Sequence, residues 1–123
     1  MKTLYTAINN QRTWEDFLRR DKGALAGGMI FPGRNPFLVQ NAHDSVYTYE
    51  NKESALHVAR LRGFANSGMV ALRMDIPDDA FAALVADNLI SKGGSGGVWK
   101  VKTVAFFDDR LSEATARVED SDS

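Results

Sequence analysis

Val70, Leu72, Met74 and Ile76 alternate with Ala71, Arg73 and Asp75, the two-residue period of a β-strand with one apolar side. The pattern predicts a strand over 69–76, half-covered and ended by Pro77. The run before it changes period. Ala55, Val58, Ala59 and Arg62 recur on one helical face, widened by Leu56 and Leu61, so 52–62 reads as a helix. Asn51 stands at its N-cap position and Gly63 where a left-handed C-cap belongs. Val46 to Tyr49 precedes it as a strand, with Val46 and Thr48 on one side and Tyr47 and Tyr49 on the other.

The flanks carry weaker patterns. Lys2 to Ile8 alternates with Leu4, Tyr5 and Ile8 and is expected as a strand. Thr13 caps a short helix in which Trp14, Phe17 and Leu18 share a face. Residues 21–36 hold four glycines and two prolines and read as a long loop, with a short strand at Met29–Phe31 inside it. Phe37 to Gln40 is expected as another short strand. After Pro77, Asp78 caps a helix over 78–90 whose stripe is Phe81, Leu84, Val85 and Leu89. The glycine-rich run 91–97 is expected as a flexible connector, and 98–107 as a long final strand. Beyond Ser112 the only large apolar residue is Val118, so 112–123 is expected as an acidic, disordered tail on a single domain spanning 1–111. The class is α+β: a mostly antiparallel, curved sheet with about three helices.

Composition changes this picture little. The chain has 123 residues, no cysteine and a formal net charge of −1. One domain fits that length. Thiolate chemistry and disulfides are excluded, and the near-neutral charge argues against a nucleic-acid partner. The balance is +2 over residues 1–60 and −3 over residues 61–123. The first residues form no apolar leader, and no run suits a membrane span, so a cytoplasmic protein without membrane partners is expected.

Candidate chemistry is sparse. His43, in a turn beside Asp44, is the better of the two histidines, since His57 falls mid-helix; no metal-ligand spacing accompanies either. The run KGGSGG precedes a strand, whereas phosphate cradles open onto a helix, so it reads as a connector. Tyr5, Tyr47, Tyr49, Trp14, Trp99 and Phe31 are available to line a cleft for a flat ligand. Trp14 and Trp99 suit a core better, while Tyr5 and Tyr47 suit packed rings with wet hydroxyls.

Leu4-Tyr5-Thr6 before the Trp14 helix, then Val46-Tyr47-Thr48-Tyr49, then Glu53 to Ala59, then Val70 to Pro77 follow one another in an order that resembles the ADP-ribosyltransferase-like domains over roughly the first 80 residues. The resemblance implies NAD or a related nucleotide as cofactor and transfer of ADP-ribose to a macromolecular target, in the manner of a toxin. It implies that Tyr47 stacks on the base, that Tyr5 and Thr6 contact the ribose, and that Tyr49 and His43 stand nearby; Thr6, His43 and Tyr47 are the catalytic candidates. Thr6 occupies the place of the family's arginine or histidine, and Gly96, Gly97 and Val98 stand where its glutamate begins the last strand. Two other classes stay open. One is a non-catalytic inhibitor or immunity-type module that binds a protein partner through an exposed loop and the acidic tail. The other is a metal-independent ribonuclease using His43 with Arg34 or Lys92.

Overall fold

A computed structural model describes residues 1–10, 12, 14–15, 37–42, 45–64, 69–94, 96–112 and 117–119. Arg12, Trp14 and Glu15 are helical; the rest of the predicted first helix, the loop 21–36 with its short strand, and His43 lie outside the described residues. Strands β1 (Lys2–Ile8), β2 (Gln40–Ala42), β3 (Ser45–Tyr49), β4 (Val70–Ile76), β5 (Ile90–Lys92), β6 (Val98–Lys102) and β7 (Arg117–Glu119) form one sheet. Its order is β5-β6-β3-β1-β4-β7, with β2 also on β3, and every pairing is antiparallel. Helices α1 (Lys52–Leu61), α2 (Asp78–Ala86) and α3 (Asp109–Ser112) and a 3₁₀ turn at Thr103–Phe107 complete an α+β domain.

β1 and β4 pair along their whole length, from Lys2↔Ile76 to Ile8↔Val70. β1 and β3 meet only at Tyr5↔Tyr49 and then splay apart. The segment 37–42 fills the wedge: Phe37 bridges Ile8, Leu38 N–H donates to the Ala7 carbonyl at 3.1 Å and Tyr47 N–H to the Val39 carbonyl at 2.9 Å. Phe37 was expected to begin a strand; instead the strand starts at Gln40, because Phe37 serves β1 and Val39 serves β3.

The sheet is covered on both faces, not one. On the first face Leu4, Ile8, Val46, Leu72, Met74, Ile76 and Val101 meet Leu84 of α2, Leu111 of α3, and Trp14, Phe37 and Phe106. Those three rings pack edge-on or stacked, with centroids 4.9–5.9 Å apart. On the second face α1 lays Ala55, Leu56 and Ala59 over Ala7, Ala71, Tyr49 and Val39. Alanines on both sides of that seam let the helix sit close to the sheet. The alternation in β4 misled because Ala71, small enough to look solvent-facing, lies under α1 while Arg73 and Asp75 on the same side are only half-buried.

Asn51 caps α1 as expected, its Oδ1 accepting from Glu53 N–H at 2.8 Å and Ser54 N–H at 3.3 Å. Gly63 holds φ +95°, a left-handed geometry that disfavours a Cβ. Leu61, assigned to the apolar face, is 73% exposed. Asp78 does not cap α2: Pro77 holds the N-cap position without a side-chain bond, and Asp78 is the helix's first residue, ion-paired to the Met1 ammonium at 2.9 Å. The helix ends at Ala86, not Ile90. Asn88 at φ +62° turns the chain back, so Ile90, expected to end the helix, and Ser91–Lys92 of the expected connector form a strand on β6. The long final strand stops at Lys102 because Ala105 and Phe106 curl into the core as a 3₁₀ turn. Past Ser112, where no element was expected, Arg117–Glu119 pairs with β4 and Val118 packs against the first-face core.

Ala59 is fully buried in the alanine seam. Ala59→Asp places an unpaired carboxylate there at a penalty of several kcal/mol, and the expected outcome is an unfolded or aggregated protein. A soluble variant melting with wild type would show the seam to be open.

Candidate functional site

The residues expected to gather around a nucleotide divide between the two faces. Tyr5, Tyr47 and Tyr49 share the α1 face, and Tyr5 and Tyr49 are direct cross-strand partners. Tyr49 is buried, which pushes its phenol up from the ordinary value against the pull of Arg62. The guanidinium of Arg62 lies 6.0 Å from the Tyr47 ring centroid, and that of Arg73 lies 5.9 Å from Tyr5. Gly93 abuts Tyr47; a Cβ there would fall 3.3 Å from Tyr47 Cδ1 and 2.8 Å from Val98 Cγ1. Tyr47 is thus a packed ring beneath an arginine.

Thr6 points the other way. It is fully buried, and its Oγ1 donates to the Tyr47 carbonyl at 2.9 Å, tying β1 to β3 just where their backbones part. Strand alternation makes this unavoidable: neighbouring residues Tyr5 and Thr6 must face opposite sides. His43 and Arg34 lie outside the described residues. His57 is exposed on α1. No cluster of metal-ligating side chains occurs among the described residues, nor a helix there long and apolar enough to cross a membrane.

A groove of about 510 Å³ opens on the first face, at the sheet edge. One wall is Phe81, Ala82, Val85 and Asn88 from α2 and its end; the other is β5 and Trp99 of β6. Phe81 and Trp99 meet edge to face at 5.0 Å. The Thr48↔Trp99 register directs the indole to this face, where it packs against the core, as expected, but stays half-buried. Val85, placed in the buried stripe of its helix, is also partly open here. Two ammonium groups approach the indole, Lys2 Nζ at 5.1 Å and Lys92 Nζ at 5.4 Å from the ring centroid. Both distances fall in the cation–π range.

Glu50 closes the cluster. Its Oε2 accepts from Lys2 Nζ at 2.7 Å and from Trp99 Nε1 at 2.8 Å. Those two bonds, Lys2 first, hold its carboxyl below the usual carboxylate value. Sequence reading passed over Glu50, Lys2 and Phe81, which are brought together from three separate stretches.

A second concavity, about 450 Å³, lies between Pro77, Asp79, Ala80, Ala83 and Arg110. Arg110 is already engaged there, by Asp108 at 2.8 Å and Asp87 at 2.7 Å. The Arg110 bonds draw the Asp108 carboxyl down to about 2. This triad fastens α3 to the end of α2.

Comparison of the chain with protein-family models, with curated proteins and with solved structures finds no match.

Thr6→Val keeps the shape and removes the donor that spans the β1–β3 gap. The expected outcome is a loss of about 1–3 kcal/mol in urea unfolding, with Thr6→Ser closer to wild type. Wild-type stability in the valine variant would assign the hydroxyl another role.

Proposed function

We propose that this domain binds a nucleotide of the class NAD represents, with its planar base against Trp99 and Phe81 and a phosphate toward Lys92. The groove carries the reading: an apolar, aromatic floor of small-molecule size with a few fixed polar groups is the usual make-up of such a site. Lys92 has a cation–π contact with Trp99 and shares the Glu50 carboxylate with Lys2, which leaves one net positive charge at the groove for an anion. The resemblance to ADP-ribosyltransferase-like domains suggests the same ligand class and transfer of ADP-ribose to a macromolecule, but the tyrosines that carry it stand on the α1 face and not in this groove. Glu50 is the carboxylate beside the groove's indole, and any stabilisation of positive charge developing on a ribose there falls to it.

This reading moves the stacking role from Tyr47 to Trp99. Base–aromatic stacking contributes about 1–3 kcal/mol, so Trp99→Leu should weaken NAD or AMP binding by roughly tenfold or more in calorimetric titration. Tyr47→Leu, which removes the ring on the other face, should bind as wild type. The reverse pattern would return the site to the tyrosine face. If wild type binds neither compound at millimolar concentration, the nucleotide reading falls and the protein-interaction module takes its place.

A further inference from the structure

We propose that Glu50 is the positioning residue of the groove: its carboxylate clamps the indole edge of Trp99 and the ammonium of Lys2 together, so that the ring is held face-on to a planar anionic ligand. The inference rests on the nucleotide reading above and deepens it.

Glu50 directly follows the last residue of β3, and the Tyr49↔Val98 pairing sets it beside the start of β6. Its N–H donates to the Gly97 carbonyl at 2.9 Å, which fixes the backbone from which the side chain reaches out. Both of its side-chain bonds end on one oxygen, Oε2. An indole has a single polar handle, its Nε1–H, and anchoring that handle stops the ring from turning about its own side-chain bonds. The same carboxylate places Lys2 Nζ 5.1 Å from the Trp99 centroid and 5.7 Å from that of Phe81.

Charge then selects the ligand. Lys2 is matched by Glu50, and the Met1 ammonium by Asp78. Lys92, the ammonium in the groove's wall, also attracts the Glu50 carboxylate, so Lys2, Lys92 and Glu50 together leave one net positive charge. One net positive charge beside an aromatic floor suits a flat ring bearing a phosphate and not a neutral or cationic one.

A purely electrostatic role for Glu50 and a positioning role predict opposite signs. Deleting a negative charge near two ammonium groups should tighten binding of an anion. Releasing the indole should weaken it. The test titrates AMP into wild type, Glu50→Ala, Glu50→Gln and Trp99→Leu, and records the indole N–H resonances of the ligand-free proteins by NMR. The chain has two tryptophans; Trp14, buried among Phe37 and Phe106, is the internal control. The expected result is that Glu50→Ala shifts the Trp99 indole resonance alone and weakens AMP about tenfold, the order of one charge-assisted hydrogen bond. Glu50→Gln, which keeps an acceptor, should recover most of the affinity. Equal or tighter AMP binding by Glu50→Ala overturns the inference, as does an unmoved Trp99 resonance. The underlying reading fails differently: Trp99→Leu then binds AMP like wild type, or wild type does not bind it at all.

Discussion

The pivot of this fold is the place where β1 leaves β3. Two antiparallel strands that stay paired need no third element, but these two touch only at Tyr5↔Tyr49. Beyond that point the backbone groups facing the gap must find partners, because buried amides without them are rare. Residues 37–42 meet the need by turning one peptide edge to Ala7 and the other to Tyr47. The hydroxyl of Thr6 adds the bond that reaches across. The wedge also sets Phe37 into one core and Val39 into the other, so a single short segment joins both layers.

From that arrangement follows a division of labour between faces. On the α1 side the small residues Ala7, Ala55, Ala59 and Ala71 form a close seam between helix and sheet. The opposite side carries the bulky aromatic and aliphatic core, and its coverage by α2 is incomplete toward β5 and β6. Phe81 and Trp99 are what α2 leaves half-covered there. A concave, aromatic edge is therefore the outcome of a short helix ending at Ala86 over a sheet that continues outward for two more strands.

Much of the architecture was legible. β1, β3, α1 and β4 stood out by period and punctuation, and Asn51 and Gly63 hold the cap positions their chemistry suggested. The misreadings have local causes. Asn88 reverses the chain inside what looked like a continuous helix, since an asparagine tolerates left-handed geometry without announcing it. Val118 docks on the core through three strand residues, too few to register as a pattern. The groove was hidden for another reason. Period tells which side of a strand faces a core, yet nothing in it tells where the covering helix stops, and that alone separates a buried Trp99 from one in an open wall. The ties among Lys2, Glu50 and Trp99 are long-range and leave no spacing to recognise.

Those ties span 48 and 49 residues, and the link between Thr3 and Asp75 spans 72. Contacts of such separation close large loops, an entropy cost each must offset before it contributes. A chain emerging residue by residue can complete α1 while Lys2 and Glu50 still lack the indole that unites them. The aromatic edge needs Trp99 together with Lys2 and Glu50, so no fragment ending before Trp99 can carry it.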